Sequence, residues 1–281
     1  MKTRLDPIDI ALREDIGAGD LTTEFFVAPN LRAHARIIAN EAAIIAGTET
    51  AAEVFRRVDP ATQVRIAAGD GTPVNPSDTV MEIHGLARTL VTAERVALNF
   101  LQRLSGIATL TRKFVDAAAS DHVKIIDTRK TTPGLRALEK AAVVAGGGKN
   151  HRFGLFDMVL VKDNHRAACA SWRDFANAIR RVHEERPGVQ VEAEADNLEQ
   201  VRELLQIDGI DLILLDNMKP AQIREAIALG KGKMKFEASG GVTLKNVRQI
   251  AGTGVDFISI GALTHSARAI DLALEFAHVG T

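Results

Sequence analysis

Six short apolar segments recur from about residue 122 onward, and each ends in polar residues or glycines. We predict strands at 124–127, 158–161, 189–194, 212–215, 235–238 and 257–260. The helical patterns between them cover 135–145, 172–185, 198–205, 221–229 and 244–250. Strands that alternate with helices pair in parallel through right-handed crossovers. The pattern therefore predicts an α/β barrel, complete or incomplete, with an open doubly wound sheet as the alternative.

The first 112 residues have a different and irregular order of elements. Helical patterns at 8–16, at 48–58 and from residue 90 onward surround β-like stretches at 33–39, 63–67 and 79–84. This mixture is typical of an α+β domain. Because 281 residues are many for one small core, we expect a domain boundary near residue 112.

Composition is that of an ordinary globular enzyme. The formal net charge is -1, which argues against nucleic acid as a partner. The single cysteine, Cys169, forms no intramolecular disulfide and has no CxxC partner, which favours a reducing, cytoplasmic setting. The first residues lack the apolar core of a signal peptide, and the longest apolar runs are too short for a membrane span.

Basic residues cluster around the first two strands of the repeat. Arg129 and Lys130 follow the first strand, His151 and Arg152 end a glycine-rich loop, and Lys162 follows the second strand. In both candidate architectures the carboxyl ends of parallel strands form the active-site edge. A single lysine or arginine is most often a solvated side chain. Several at successive strand ends favour an anion-binding pocket.

Acidic residues mark the third and fourth strands. Glu192, Glu194 and Asp196 alternate with alanines, so they share one face of a strand, which is either a solvated outer face or a functional inner one. Asp216 follows the apolar run 212–215. A carboxylate there suits Mg²⁺ held together with substrate phosphates. The alternative for Asp216 is a cap of the next helix.

Glycines mark the last two strands, where barrels often bind phosphate. The residues are Ser239, Gly240 and Gly241 after the fifth strand and Gly261 after the sixth. Glycine allows the backbone to approach a ligand closely. The residues alone thus predict a site for a carboxylated substrate beside a phosphorylated one, with magnesium. A Schiff base on Lys130 or Lys162 is the rival chemistry, and the chain contains no GxSxG, HExxH or P-loop motif.

Ordered motifs along nearly the whole chain resemble the quinolinate phosphoribosyltransferase family. The most distinctive is the run Asp-Thr-Arg-Lys-Thr-Thr-Pro-Gly-Leu-Arg at 127–136. The others lie at 19–23, 94–99, 104–109, 146–152, 162–165, 215–217, 239–241 and 261–264.

The resemblance implies a fold and a reaction. The fold is an N-terminal α/β sandwich over 1–112 and an irregular, open α/β barrel over 113–266, in a homodimer. A C-terminal helix near 267–278 is implied, with 267–281 packed back on the first domain. The reaction joins quinolinate to phosphoribosyl pyrophosphate with Mg²⁺. It gives nicotinate mononucleotide, pyrophosphate and CO₂ in de novo NAD biosynthesis.

Roles for individual residues follow from the resemblance. The quinolinate carboxylates are implied to bind Arg129, His151, Arg152 and Lys162, with Arg95 donated by the partner subunit. Phosphoribosyl pyrophosphate and its magnesium are implied to involve Lys130, Glu194 and Asp216, the two acids as metal ligands. The 5′-phosphate is implied to rest on Ser239, Gly240, Gly241 and Gly261. The alternatives are a pyridine phosphoribosyltransferase without decarboxylation, a Schiff-base lyase and a non-catalytic metabolite-binding protein.

Overall fold

The computed structural model describes residues 6–280. The first five residues of the predicted N-terminal domain, and residue 281, lie outside this part. Contacts divide the described chain into two compact units. The first unit consists of 6–112, 131–147 and 263–280, and the second unit consists of 113–130 and 148–262. The predicted division assigned all of 113–266 to one domain, whereas segment 131–147 groups here with the first unit.

The elements alternate irregularly at first and regularly afterwards. The helices are α1 Pro7–Ile16, α2 Leu21–Phe26, α3 Thr48–Val58, α4 Ala87–Ala118, α5 Arg136–Ala145, α6 Asp163–Ala167, α7 Trp172–Glu185, α8 Leu198–Leu204, α9 Pro220–Gly230, α10 Val247–Ala251 and α11 Ala262–His265. The strands are β1 Arg32–Ala39, β2 Ala43–Ile44, β3 Gln63–Ile66, β4 Pro73–Val74, β5 Thr79–Leu86, β6 Lys124–Ile126, β7 Val159–Val161, β8 Val191–Ala195, β9 Leu212–Asp216, β10 Lys235–Ser239, β11 Phe257–Ser259 and β12 Leu272–Gly280.

The first unit is built on a four-stranded antiparallel sheet with the order β12-β1-β5-β3. Ala33, Ala35 and Ile37 of β1 are buried, and the residues between them are not, as the two-residue period of a strand requires. The buried face shares one core with α3 and α4, including Phe55 and Leu101. The opposite face of this sheet therefore carries the polar side chains of β1 and β5.

The C-terminal helix predicted near 267–278 is wrong. Residues 272–280 form β12, which pairs antiparallel with β1 from Arg32 opposite Gly280 to Ala39 opposite Leu272. The alanines, leucines and glutamate of this segment suit a helix as well as a strand. The unpaired edge of β1 decides between them, because tertiary pairing overrides local propensity.

The second unit contains six parallel strands in the order β6-β11-β10-β9-β8-β7. The strands follow one another around the sheet in chain order, and the first, β6, pairs with the last, β11. A doubly wound sheet would reverse its order at a switch point. The predicted mixed α/β class is confirmed, and the circular order is that of a barrel open between β6 and β7.

Among residues 6–280, no helix combines the length and the hydropathy that spanning a membrane would require.

Replacement of Gly106 with alanine should destabilise the first unit. A Cβ atom at this position of α4 would lie 2.0 Å from the backbone oxygen of Arg268, a clash that only backbone movement relieves. We expect a loss of about 1–3 kcal/mol, as in other overpacked sites. Denaturant unfolding measures it. The matched control is Gly69→Ala, where a Cβ atom meets nothing within 4 Å. Equal stability of the two variants would contradict the packing argument.

Candidate active site

The second unit contains all of the predicted site residues except Arg95. They follow the strands that the sequence assigned: Lys130 after β6, Lys162 after β7, Glu194 in β8, Asp216 at the end of β9, Ser239 at the end of β10 and Gly261 after β11. Arg95 is an exposed residue of α4 in the first unit. The structure therefore brings the other predicted residues together on the second unit, whereas Arg95 belongs to the first.

The loop that carries His151 and Arg152 is fixed beside the carboxyl end of β6. Lys149 forms an isolated parallel bridge with Ile126. The Asp127 amide donates to the Lys149 carbonyl over 3.1 Å, and the His151 amide donates to Asp127 Oδ1 over 2.9 Å. This short extension of the sheet places His151 and Arg152 beside the carboxyl end of β6, although neither residue directly follows one of the six parallel strands.

His151 lies against two buried carboxylates. Its Nε2 atom is 2.9 Å from Glu192 Oε2 and 3.4 Å from Glu237 Oε2. Glu192 and Glu237 are 0% and 1% exposed. Isolated carboxylates at such burial would be strongly unfavourable. The imidazole is therefore needed for the structure of the barrel interior.

The pKa values of His151 and Glu192 are both raised. Burial by itself lowers the pKa of His151, but the hydrogen bonds and charges of Glu192 and Glu237 outweigh it and raise the pKa to about 10. Burial and then the charge of Glu237 raise the pKa of Glu192 to about 7. The Arg152 amide, 2.7 Å from His151 Nδ1, opposes a proton on that nitrogen. It fixes Nε2 as the nitrogen that keeps its proton when the ring is neutral.

Both ring nitrogens of His151 thus have partners within the chain. Direct contact between His151 and a quinolinate carboxylate stays a prediction.

Arg129 and Arg152 form a site for negative charge. Burial, and then repulsion from Arg129, lower the pKa of Arg152. Arg129 Nε is buried without a hydrogen-bond partner, and Arg152 Nη1 donates only a long, 3.3 Å bond to the Met158 carbonyl. Two neighbouring guanidinium groups with unused donors match the two oxygens of a carboxylate.

Three acids form a second group, each beside β8 or β9. One carboxylate oxygen from each of Glu194, Asp196 and Asp216 lies within 4.8 Å of the others. Lys162 Nζ is 2.8 Å from Glu194 Oε2, so a residue predicted for quinolinate contacts one predicted for the phosphoribosyl half. All three ligands are oxygens, the kind that Mg²⁺ prefers, and the set fits that ion.

The turn at 239–241 after β10, called the glycine corner here, has a backbone conformation that requires glycine. Gly240 and Gly241 have φ values of 89° and 60°, which only glycine adopts without strain. A Cβ atom on Gly240 would lie 2.1 Å from Asn217 Oδ1. The Asn217 amide donates to the Ser239 carbonyl over 2.8 Å, which ties this corner to the end of β9.

Several residues of the site were not assigned from the sequence. Glu237 lies inside the strand predicted at 235–238, and Asp127 is the last residue of the strand predicted at 124–127, with no role in the site assigned to either. Arg166 donates to the Glu194 carbonyl over 2.9 Å and to Asp196 over 3.4 Å. The alternating acids at 192, 194 and 196 were the sequence signal that could have revealed these residues. In the structure each acid has a different cationic neighbour, which is His151, Lys162 or Arg166 respectively.

Comparison with known families accounts for this arrangement. Residues 20–105 match the N-terminal domain of quinolinate phosphoribosyl transferase, and residues 107–275 match its C-terminal domain. The chain belongs to the quinolinate phosphoribosyl transferase family. The open barrel and its cationic and acidic strand ends are therefore those of a phosphoribosyltransferase.

Individual relatives of this family agree along the full chain. A probable nicotinate-nucleotide pyrophosphorylase (carboxylating) of Bacillus subtilis is 43% identical over 262 residues, which are 93% of this chain and 89% of that protein. A mitochondrial quinolinate phosphoribosyltransferase (decarboxylating) of Nicotiana glauca is 41% identical, over 95% and 80%. The crystal structure of NadC from Streptococcus pyogenes superimposes with a TM-score of 0.89 at 39% identity, covering 97% and 96% of the two chains.

Glu192 and His151 should make the fold less stable as pH rises. Both pKa values are higher in the folded chain than the ordinary 4.5 and 6.5. Their contribution is therefore fully present below those ordinary values and is lost as pH rises through about 7 and about 10. Glu192→Gln removes the titrating acid, so its unfolding free energy should fall less steeply with pH. Urea unfolding across this range measures the slope.

The matched control is Glu199→Gln, since Glu199 is an exposed glutamate of α8. It should keep the wild-type slope. Parallel curves for Glu192→Gln and wild type would contradict the assigned pKa values.

Proposed function

We propose that the chain transfers the phosphoribosyl group of phosphoribosyl pyrophosphate to quinolinate, with release of pyrophosphate and CO₂. The product is nicotinate mononucleotide, so the reaction is a step of de novo NAD biosynthesis. The observation that carries the proposal is the pair Arg129 and Arg152, which repel each other and form no ion pair within residues 6–280. An anion between them removes this repulsion. Quinolinate, with two adjacent carboxylates, is such a ligand.

The quinolinate half of the site consists of cations after β6, in the loop before β7 and directly after β7. Arg129 and Arg152 grip one carboxylate by paired hydrogen bonds. Lys162 reaches the second carboxylate, and it is half exposed and paired with Glu194. His151 keeps its ring between Glu192 and Arg152 and so positions the Arg152 backbone.

The phosphoribosyl half consists of the acids and the glycine corner. Glu194, Asp196 and Asp216 would hold Mg²⁺ together with pyrophosphate oxygens, and the ion would neutralise charge on the leaving group. Lys130, after β6, adds a positive charge for the same group. Ser239, Gly240, Gly241 and Gly261 would contact the 5′-phosphate through the backbone that their turns expose.

Electrostatics and positioning supply the chemistry. The pyridine nitrogen attacks the ribose carbon as the bond to pyrophosphate breaks, which leaves positive charge on the sugar. Glu194 and Asp216 stabilise that charge, because they are fixed in place before the reaction. The alkylated pyridine then accepts the electron pair of the carboxylate next to its nitrogen, which leaves as CO₂. A proton replaces it on the ring carbon, and no further cofactor is needed.

The alternatives are less well supported. A pyridine phosphoribosyltransferase that does not decarboxylate needs cations for one carboxylate, whereas this site offers Arg129, Arg152 and Lys162. A Schiff-base lyase is disfavoured, because both family models that match the chain are those of a phosphoribosyl transferase. A cytoplasmic location remains part of the proposal and rests on the single, free Cys169.

Turnover with quinolinate, phosphoribosyl pyrophosphate and Mg²⁺ tests the proposal, with nicotinate mononucleotide as the measured product. Arg129→Ala should abolish it by removing half of the carboxylate clamp. We expect a loss of roughly 2–5 kcal/mol in transition-state binding, as for a broken buried charge pair. Arg173→Ala is the control, because Arg173 is an exposed arginine of α7. Near-normal quinolinate affinity and rate in Arg129→Ala would overturn the assignment.

We also propose a homodimer in which Arg95 completes the quinolinate site of the partner. The support is the exposure of Arg95 in the unit that lacks the other site residues. Leu21, Phe25 and Phe26 of α2 expose 71%, 77% and 85% of their surface. Large exposed apolar side chains favour a protein–protein contact in this unit.

Mixing two inactive variants tests the shared site. Arg95→Ala and Arg129→Ala should each be inactive alone, while a heterodimer has one site with both arginines and one with neither. An equal, randomised mixture should recover roughly a quarter of wild-type activity, since half the dimers carry one intact site of two. Subunit exchange is verified by mass spectrometry of tagged chains. No recovery after proven exchange would place Arg95 outside the site of a partner.

A further inference from the structure

A row of histidines crosses the outer face of the four-stranded sheet. His34 of β1 lies opposite His84 of β5 and opposite His278 of β12. Gln63 of β3 extends the row, since it lies opposite His84. All four line one cavity of about 440 Å³ together with Arg32. The row belongs to the first unit, and the proposed reaction uses none of these residues.

Two of these histidines and a glutamate have their potential ligand atoms close together. The rings of His34 and His84 stack with their centroids 4.0 Å apart and their planes 9° from parallel. Glu82 precedes His84 by two positions in β5 and so points to the same face. One ligand atom from each of His34, Glu82 and His84 lies within 4.8 Å of the others. Small side-chain rotations bring such a set onto one ion.

The alternative to a metal site is that these histidines form an ordinary polar surface in contact with water. His34 argues against it, because its Nε2 atom is buried and has no hydrogen-bond partner in the described chain. Leaving such an atom unsatisfied costs roughly 1–3 kcal/mol. A ring nitrogen of a neutral imidazole is a common metal ligand. The Nε2 atom of His34, which has no partner in the described chain, is therefore available to an ion.

We propose that His34, Glu82 and His84 bind a divalent transition-metal ion of the Zn²⁺ class on the outer face of this sheet. Two imidazoles and one carboxylate form a ligand set that Zn²⁺ accepts and that Mg²⁺ does not favour. Three protein ligands leave the fourth tetrahedral position to water or to His278. The ion would join β1 to β5 and so stabilise the sheet.

Neighbouring charges set the strength of this site. Arg65 bonds both carboxylate oxygens of Glu82, with its Nη2 atom 2.6 Å and its Nε atom 2.9 Å away. Arg65 is 65% exposed, so it can move aside, and each carboxylate oxygen has a second lone pair. Arg32 and Arg36 also oppose a cation, although Arg36 lies between Glu82 and Glu275. The binding is therefore weaker than in a closed structural zinc site.

Titration of the metal-free protein with Zn²⁺ tests the proposal. Isothermal calorimetry in excess Mg²⁺, which occupies the oxygen ligands elsewhere, should show one Zn²⁺ per chain. Co²⁺ in its place should give the visible absorption of a four-coordinate nitrogen and oxygen site. Zn²⁺ should raise the melting temperature, because it binds the folded chain alone. His84→Gln, at an exposed position, should weaken binding at least tenfold, since even indirect partners of a metal contribute that much.

The control variant is His122→Gln, because His122 is exposed and lies outside the row. It should bind Zn²⁺ as wild type does. His34→Gln should lose the Zn²⁺-dependent rise in melting temperature while keeping the wild-type far-ultraviolet circular dichroism spectrum, which shows that it folds. Absence of a bound Zn²⁺ in wild type, or unchanged affinity in both His84→Gln and His34→Gln, would overturn the proposal. Neither result depends on the proposed reaction.

Discussion

A carboxylate inside a protein is strongly unfavourable unless a donor reaches it, and the second unit buries three of them in its sheet. Glu192 and Glu237 are shielded by His151, and Glu194 by Lys162. The loop at 148–152 and the start of α6 deliver these donors. Assembly of the barrel interior and assembly of the site are consequently one process, because the buried acids are not stable in place without these donors.

The same constraint divides the site into two electrostatic halves. The acids that have neighbouring cations form the side suited to a metal and pyrophosphate. Arg129 and Arg152, which repel each other, form the side suited to an anion. This imbalance costs stability in the empty protein, as is common where an active site is organised before substrate binds. In the proposed reaction, a carboxylate of quinolinate supplies the negative charge that these two arginines lack.

Much of this could be predicted from the sequence, and the failures have physical causes. Five strands of the second unit are predicted from their mainly apolar residues, and β8 from acids that alternate with alanines. Asp216 and Ser239 lie at the ends of their strands, as predicted. The bridge between Lys149 and Ile126 depends on two distant segments meeting. Glu237 looks like one polar residue in a strand until its neighbour His151 is known. The histidine row needs the register of three strands, which no local pattern contains.

The C-terminal segment shows the same limit most clearly. Residues 272–280 have no preference strong enough to choose a helix or a strand, and the edge of β1 chooses for them. The prediction for Arg95 has a different basis from the predictions for the strand-end residues. Only family resemblance distinguishes Arg95 from other exposed arginines of a helix.

The pairing of β12 with β1 has a consequence for how the chain acquires its structure. Nearly the whole length of the chain separates the two partners, so the first sheet cannot be completed until the last strand has left the ribosome. During synthesis β1 has an open edge on one side, where strands of other nascent chains can add. Such distant pairing also slows folding, because a large loop must close before its contacts form. β1 therefore depends on its pairing with the distant β12 for protection from aggregation.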